Sequence, residues 1–287
     1  MKSVAAIVVT YNRIELLKRL LNSLRNQTEN CHDIIVVNNG STDGTKEWLE
    51  TQVDLIVINQ DNKGGAGGFY AGMKYAYEHG YEWLWLMDDD GVTDKNQLRN
   101  LLVGVLKFKL KFVNALVCNI DNPNILSFGL SLGGKVCMQV SDITDKPVLP
   151  AINPFNGTFI NKEVVDRIGY VKKEMFIWGD ETEYSYRARK AGYDLSTITN
   201  AIHYHPAIKG KLEQVFPIWK KYEVSVKPEK MSHIYYRNMG YIYKTYMPNK
   251  IYSLVVLYTI LFARKLQFKE LKKFYKFYFQ GIKSRFV

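Results

Sequence analysis

The apolar run V-A-A-I-V-V-T at residues 4–10, which stops at the polar turn Y-N-R at residues 11–13, decides the fold class. A continuous apolar run of this length is typical of a strand that is covered on both faces. Apolar residues at helical spacing follow at once, from Ile14 to Leu24. The chain is therefore predicted to open with a buried strand and a helix that packs on it.

The same order of strand and helix is repeated through the first hundred residues. The predicted strands are 4–10, 34–37, 55–58 and 83–87, and the predicted helices are 14–24, 45–50, 66–78 and 96–106. This alternation predicts an α/β fold with a Rossmann-like, mostly parallel twisted sheet that is flanked by helices. In such sheets, ligands bind beyond the carboxyl ends of the strands.

The rest of the chain is less regular. Loops and small strands are predicted over 119–150, and the later elements are a strand at 153–161, a helix at 181–191 and a strand at 197–205. From about residue 231 the pattern becomes helical. We therefore expect a ligand-binding and catalytic domain over residues 1–230 and a helical, basic C-terminal region over residues 231–287.

Composition narrows the classes of function. The chain has 287 residues, 47% of them hydrophobic, which excludes a disordered protein. Its net charge of +11 favours an anionic partner, which can be a phosphate ligand, a nucleic acid or a membrane surface. No nucleic-acid reading motif accompanies the charge, and no G-x-x-x-x-G-K-[ST] loop is present. Without an export signal or an apolar run of about 20 residues, the protein is expected to be cytoplasmic.

Polar residues follow the first two predicted strands. Tyr11 can stack on a nucleobase, while Thr10 and Asn12 can hydrogen-bond to it or to its ribose; alternatively, Asn12 caps the next helix. Asn39 follows the second strand, and its amide can both donate to and accept from a pyrimidine edge. These residues are candidate nucleotide contacts.

Glycines follow the third predicted strand, in N-K-G-G-A-G-G-F at residues 62–69. Glycine lets a backbone approach a ligand closely, and the N-terminus of the next helix favours negative charge. Lys63 and Gly64 are therefore candidate phosphate contacts. The alternative is a flexible structural loop.

Three carboxylates, Asp88, Asp89 and Asp90, follow the fourth predicted strand. They repel one another unless a cation is present. In extended backbone Asp88 and Asp90 point to one side and Asp89 to the other, so the outer pair can hold one divalent ion. The alternative is an acidic cluster at the N-terminus of a helix.

Two later segments also carry candidate site residues. In W-G-D-E at residues 178–181, one acid is a candidate general base beside an aromatic wall, although acids at a helix start need no further explanation. His203 and His205 lie on one face of a predicted strand, and such a pair near acids can complete the ligand shell of a metal.

Taken in order over residues 4–240, these motifs resemble the inverting glycosyltransferases of family 2, which share the GT-A fold. The resemblance implies a nucleotide-sugar donor, a bound Mn²⁺ or Mg²⁺ ion and Asp180 as the general base. The implied nucleotide contacts are Thr10, Tyr11, Asn12, Asn39, Lys63, Gly64, Asp88 and Asp89. The implied metal ligands are Asp88, Asp90 and His205, which is preferred to His203. The implied acceptor contacts are Trp178, Gly179 and Glu181.

Three segments indicate which subgroup of family 2 the chain resembles. The glycine-rich segment, the three aspartates and W-G-D-E look like those of galactofuranosyltransferases, whereas Y-Y-R-N at residues 235–238 is similar to rhamnosyltransferases. The resemblance implies transfer from UDP-galactofuranose, or alternatively dTDP-rhamnose, to a hydroxyl of a glycan or lipid-linked acceptor in cell-surface polysaccharide synthesis. Two alternatives from other classes remain. A sugar-nucleotide nucleotidyltransferase should carry a G-x-G-x-R loop where this chain has T-Y-N-R, and a non-catalytic nucleotide-binding or membrane scaffold would tolerate the loss of Asp180.

The C-terminal segment has a two-faced pattern. Lysines at 265, 269, 272, 276 and 283 alternate with an apolar stripe formed by Leu271, Phe274, Tyr275, Tyr278 and Ile282. A helix of this kind suits an anionic membrane surface, which predicts a peripheral position on the cytosolic face of the plasma (inner) membrane. The alternative is that the aromatic face packs on the catalytic domain, with the lysines in solvent. A homo-oligomer is left open.

Overall fold

The structure of the protein is a computed structural model that describes residues 3–143, 145–207, 211–215 and 221–286. The chain forms two compact units. The first comprises Met1–Lys173 and Tyr184–Ile208, and the second comprises Glu174–Glu183 and Lys209–Val287.

The first unit contains most of the strands. These are β1 (Val4–Thr10), β2 (Asp33–Asn38), β3 (Leu55–Asn59), β4 (Trp83–Asp88), β5 (Val92–Thr93), β6 (Phe112–Asn119), β7 (Ile125–Leu132), β8 (Lys135–Gln139), β9 (Val148–Leu149), β10 (Asn156–Asn161) and β11 (Leu195–His205). Its helices are α1 (Ile14–Arg25), α2 (Thr45–Leu49), α3 (Gly64–Glu78), α4 (Gln97–Phe108), α5 (Lys162–Ile168) and α6 (Asp180–Lys190), whose first residues belong to the second unit.

One central sheet organises the first unit, with strands in the order β3-β2-β1-β4-β10-β6-β11-β5. Strands β1 to β4 run parallel, β10 is antiparallel to both its neighbours, and β11 is parallel to β6. The predicted mixed α/β fold with a mostly parallel sheet is confirmed. The register pairs Thr10 with Asn38 and Val9 with Asp88, so the polar ends of three strands meet at one edge.

The sequence analysis missed β6, although this strand lies in the middle of the sheet. A buried polar residue, Asn114, interrupts its apolar run. The Asn114 side chain donates to the carbonyls of Ala115 and Asn156 and accepts from the Thr158 hydroxyl. The Asn114 amide is therefore satisfied by its own strand and by β10, so it can be buried in the sheet. Sequence hydropathy alone would end the strand at this residue.

The glycine-rich segment is largely helical, as the helix predicted over 66–78 expects, and the alternative of a flexible loop is wrong from Gly64 onward. Helix α3 begins at Gly64, and three of its later glycines make close contacts. A Cβ atom at Gly68 would lie 2.4 Å from Val9, and one at Gly72 would lie 2.4 Å from Ile7. These glycines therefore allow α3 to pack closely on β1.

The second unit contains β12 (Lys211–Val215), β13 (Tyr222–Val226) and the helices α7 (Ser232–Tyr246), α8 (Ile251–Arg264) and α9 (Phe268–Ile282). Its core is aromatic, with Tyr236, Tyr258, Phe262, Phe274 and Tyr278 all buried. None of the helices within the described ranges is both long and apolar enough to cross a bilayer.

The apolar stripe of α9 belongs to this core, which corrects its reading as a membrane-facing surface. Phe274 and Tyr278 have no exposed area. Helices α7 and α9 approach so closely that a Cβ atom at Gly281 would lie 1.8 Å from the Arg237 carbonyl oxygen. The aromatic face is covered by α7 and α8 of the same C-terminal region, whereas the alternative expected it to pack on the catalytic domain.

Helix α3 contains glycines that pack closely on a strand, such as Gly72, and glycines that face open space, such as Gly65, so the role of close packing can be tested. We expect Gly72→Ala to lower the free energy of unfolding by about 1–3 kcal/mol, because the methyl group overpacks the interface with Ile7. Gly65→Ala, whose Cβ atom meets open space, should cause no loss, since alanine is the better helix former. Urea unfolding checks both variants, and an equal loss in the two would contradict close packing as the reason for Gly72.

Candidate active site

The three aspartates after β4 are held by residues that follow β1. Asp89 is buried, and its carboxylate accepts a hydrogen bond from the Thr10 hydroxyl at 2.7 Å and another from Arg13 Nη1 at 3.1 Å. The same Arg13 nitrogen donates to Asp90 Oδ2 at 2.8 Å. Thr10 and Asp89 therefore join the ends of two neighbouring strands, and both side chains are engaged with each other within the protein.

Arg13 is a site residue to which the sequence analysis gave no role. Burial lowers the pKa of its guanidinium, but the charges of Asp89 and Asp90 more than offset this and hold that pKa above its ordinary value. Arg19 adds a hydrogen bond to the Asp90 carbonyl at 3.0 Å. The signal in the sequence was a cation immediately after T-Y-N. Its partners lie more than seventy residues away, where no local pattern can find them.

The carboxylates have different acidities. Burial raises the pKa of Asp88 to about 8, and the charges of Asp90 and Asp89 act in the same direction. Burial also raises the pKa of Asp89, to about 6. The pKa of Asp90 is lowered, because His205 and Arg13 outweigh the effect of burial. Asp90 is thus the carboxylate that holds its negative charge most strongly.

His205 faces Asp90. Its Nε2 atom lies 3.0 Å from Asp90 Oδ1, and its Nδ1 atom lies 2.7 Å from the Pro206 carbonyl oxygen. A carbonyl only accepts, so Nδ1 carries a proton. Burial lowers the pKa of His205, but Asp90 raises it further, and the net shift is upward. The imidazole therefore presents Nε2 to Asp90, as a second proton donor or as a metal ligand.

His203 has a different position. It is fully buried, its Nδ1 atom lies 3.4 Å from Gln97 Oε1, and burial lowers its pKa to about 3. A Cβ atom at Gly91 would lie 2.1 Å from its Nε2 atom, so the ring packs directly against the turn that follows the aspartates. The structure brings His205, and not His203, to Asp90.

Asn39 holds the segment that leads into α3. Its amide nitrogen donates to the Gly64 carbonyl at 2.9 Å, and its oxygen accepts from Gln60 Nε2 at 2.8 Å and from the Lys63 amide at 3.1 Å. These hydrogen bonds hold the segment in place, and the predicted contact of Asn39 with a base edge stays a prediction. The segment that it holds still carries Lys63 and Gly64.

The turn after β1 is also tied to the turn after β2. The Asn12 oxygen accepts from the Thr42 amide at 2.7 Å, and Asp43 accepts from the Ile14 amide at 3.1 Å. Asp43, rather than Asn12, therefore caps the first turn of α1. Among the predicted nucleotide contacts, Tyr11, which is 45% exposed, Asn12 and Lys63 have exposed side chains, although the Asn12 oxygen is engaged with Thr42.

In the second unit, α7 holds the segment that precedes α6. Asn238 Nδ2 lies 2.8 Å from the Met175 carbonyl oxygen, 3.1 Å from that of Ile177 and 2.9 Å from that of Trp178. Arg237 donates to the carbonyl of Glu174. Arg237 and Asn238, the second half of Y-Y-R-N, therefore hold the segment ahead of α6 in place.

The supported segment is strained and carries the W-G-D-E residues. Phe176 and Trp178 have positive φ angles of 66° and 62°, a backbone conformation that residues other than glycine rarely adopt. Gly179, at φ 100°, donates its amide to Glu181 Oε2 at 3.1 Å. Backbone strain of this kind is often found at functional sites.

Asp180, at the first turn of α6, is 5% exposed. Lys227 Nζ lies 5.0 Å from the ring centre of Trp178 and 5.2 Å from that of Tyr235. One face of the predicted acceptor-binding Trp178 is therefore already in contact with a cation.

The predicted metal ligands are close together only in part. Among the residues that the structure describes, no three His, Cys, Asp or Glu side chains form a ready-made metal site. The Asp90–His205 pair fits one, because two ligands about 2.1 Å from the same ion at right angles lie roughly 3 Å apart. Asp88 is near enough for its charge to raise the pKa of His205, but it does not complete a set of three ligands with this pair.

Comparison with known proteins gives consistent results. Residues 5–112 match the protein family described as Glycosyl transferase family 2. The chain is 33% identical over 250 residues to a protein named galactofuranosyltransferase GlfT1 from Mycobacterium tuberculosis, and the match covers 84% of this chain and 82% of that protein. It is 26% identical over 209 residues to dTDP-rhamnosyl transferase RfbF of Shigella flexneri, covering 66% of this chain and 64% of that protein.

Among solved structures, the chain is similar to S. aureus TarS 1-349 in complex with UDP, with a TM-score of 0.56 at 17% identity. The match covers 83% of this chain and 64% of that chain, so this protein spans just under two thirds of it. At this identity the likeness shows the GT-A fold alone.

The role of Asn238 can be tested by stability. We expect Asn238→Ala to lower the free energy of unfolding by about 1–3 kcal/mol and to speed hydrogen exchange over residues 174–181, because buried carbonyls lose their donor. Thr245→Ala on the same helix is the control, since within the described part of the chain that hydroxyl bonds only to a carbonyl of its own helix, at Tyr241. Unchanged exchange in Asn238→Ala would contradict the supporting role.

Proposed function

Because the chain belongs to glycosyl transferase family 2, we propose that it is an inverting, metal-dependent galactofuranosyltransferase that uses UDP-galactofuranose. The observation that supports a nucleotide-sugar site best is the acidic turn Asp88–Asp90 at the carboxyl edge of the sheet, compensated by Arg13 and His205. The similarity to GlfT1 over most of both chains favours galactofuranose as the donor sugar.

In this proposal the nucleotide binds at the ends of β1 to β4. Tyr11 and Lys63 make direct contacts with the base and the phosphates, while Thr10, Asn12, Asn39 and Asp89 shape the pocket. A positively charged side chain at the start of a helix is well suited to a diphosphate, since the helix N-terminus also favours negative charge.

A divalent cation, Mn²⁺ or Mg²⁺, would be held by Asp88, Asp90 and His205. Oxygen donors with one imidazole are a suitable donor set for Mn²⁺, and hard carboxylates suit Mg²⁺. When bound, the ion supplies charge neutralisation for the nucleoside diphosphate as it leaves. Arg13, which contacts both Asp89 and Asp90, keeps the carboxylates in place.

The reaction is a single displacement. The oxygen of an acceptor hydroxyl forms a bond to the anomeric carbon, and the bond from that carbon to the diphosphate oxygen breaks. The diphosphate leaves with the electron pair, and Asp180 takes the hydroxyl proton as general base. Attack opposite the leaving group inverts the anomeric configuration, and no enzyme nucleophile is needed. Trp178, Gly179 and Glu181 form the acceptor side.

The proposed acceptor is a hydroxyl of a glycan or of a lipid-linked sugar in cell-surface polysaccharide synthesis, which would place the enzyme on the cytosolic face of the plasma (inner) membrane. A second candidate function, transfer of rhamnose from dTDP-rhamnose, is favoured by the likeness to RfbF and by Y-Y-R-N at residues 235–238.

The donor and the metal can be tested in one assay. We expect purified protein to consume UDP-galactofuranose and not dTDP-rhamnose in a panel of nucleotide sugars with lipid-linked acceptors. Chelation by EDTA should abolish turnover, and added Mn²⁺ or Mg²⁺ should restore it. Activity with dTDP-rhamnose alone would reverse the choice of donor. Activity that persists after chelation would refute the proposed metal dependence.

The role of Asp180 as general base can be tested separately from nucleotide binding. We expect Asp180→Asn to lower kcat by ~10²–10⁴, the usual size of a lost general base, while the Kd of UDP changes by no more than a few-fold. Glu181→Gln is the matched control, because it removes the neighbouring carboxylate instead. The assignment fails if Glu181→Gln causes the larger loss of kcat.

A further inference from the structure

The connection between α8 and α9 exposes two large apolar side chains. Only Lys265–Gln267 separate the two helices. Leu266 is 75% exposed and Phe268, the first residue of α9, is 61% exposed. Because the apolar stripe of α9 is buried in the core, the tip of this helical hairpin is a separate apolar surface.

The backbone at Leu266 has a conformation that is unfavourable for leucine. Its φ angle is 54°, in the left-handed region that follows many helices and that glycine or asparagine usually occupies. A leucine in this region strains the backbone. The chain therefore accepts both backbone strain and exposed apolar surface at this position, although a polar Asn would lessen the strain and expose no apolar side chain. This combination indicates a function for the exposed leucine.

The tip is surrounded by cations. Between residues 264 and 285 the chain has eight basic residues and one acidic residue, Glu270. Lys265 pairs with Glu213, and Lys273 pairs with Glu270. Arg264, Lys269 and Lys272 are exposed and have no ion pair among the residues that the structure describes. Uncompensated positive charge therefore lies beside the exposed apolar pair.

A cavity of about 590 Å³ opens behind the tip. Its lining combines apolar groups from Val226 and Phe262 with Leu266 and Phe268, and Lys227 and Lys269 also line it. Two carboxylates, those of Glu229 and Glu270, also line the cavity. Lys273 Nζ lies 2.7 Å from the Glu270 carboxylate and 3.9 Å from that of Glu229. Apolar walls beside ammonium groups match an amphiphile with an anionic headgroup.

We propose that the α8–α9 tip, residues Arg264–Lys269, docks this protein on an anionic lipid bilayer. Leu266 and Phe268 enter the interfacial layer, and Arg264, Lys269 and Lys272 lie among the anionic headgroups. The proposal rests on the membrane position given in the proposed function, and it assigns that contact to the hairpin tip instead of the α9 stripe.

Truncation is a poor test, since removal of residues 251–287 would also delete Phe262, Phe274 and Tyr278 from the core. Point variants of the full chain avoid this difficulty. In the double variant Leu266→Asn/Phe268→Gln, Asn suits the left-handed backbone and should keep the turn folded. The matched control is Val103→Gln/Leu106→Gln, two apolar residues of α4 with exposures of 54% and 58%.

The experiment is sedimentation with phosphatidylcholine vesicles that contain or lack phosphatidylglycerol, with no donor or acceptor present. We expect the wild-type protein to bind the anionic vesicles, and added salt to weaken that binding. The double variant should lower the partition coefficient at least about tenfold, because both insertable side chains are lost. The control should bind like the wild type.

The proposal would be overturned if the double variant binds as well as the wild type, or if the control loses as much binding as the double variant. It would also be overturned if binding does not depend on phosphatidylglycerol. Vesicle binding that stays intact while the double variant turns an oligomer into a monomer would instead make the tip a contact between copies of this chain. The galactofuranosyl transfer itself is measured separately with a water-soluble acceptor analogue, on which the double variant should act like the wild type. Failure of either proposal is therefore distinguishable from failure of the other.

Discussion

The first unit depends on placing three consecutive carboxylates at the end of a buried strand. Their mutual repulsion and desolvation must be compensated, and the structure does so with charge and hydrogen bonds from distant parts of the chain. Arg13 contacts two of the acids, Thr10 donates to Asp89, and His205 faces Asp90. This single constraint joins the ends of β1, β4 and β11, and so defines the edge at which a nucleotide sugar would bind.

The segments around this chemistry are held by side-chain amides. Asn39 bonds to the segment that enters α3, and Asn238 bonds to three carbonyls ahead of α6. An amide can donate and accept at once, so it satisfies irregular backbone that no regular strand or helix can pair. Each amide lies in its own unit, and each supports residues that the resemblance to family 2 had marked as binding residues.

Local sequence patterns predicted the strands and helices of the first hundred residues, because apolar periodicity depends on residues that are near in sequence. They missed β6, where Asn114 interrupts an otherwise apolar strand, and they did not show that the glycines of α3 pack against Val9 and Ile7. In both cases the deciding contacts come from another strand, and a local pattern contains no information about them.

The sequence by itself determined the α/β alternation, the positions of the polar motifs at strand ends and the two-faced character of α9. The tertiary structure alone decided what these features contact: that Arg13 compensates the aspartates, that His205 and not His203 reaches Asp90, and that the stripe of α9 is buried. The physical reason is that amphipathicity requires a face to be covered without specifying by what. Charge likewise requires a partner without specifying which one, and only the folded chain supplies both.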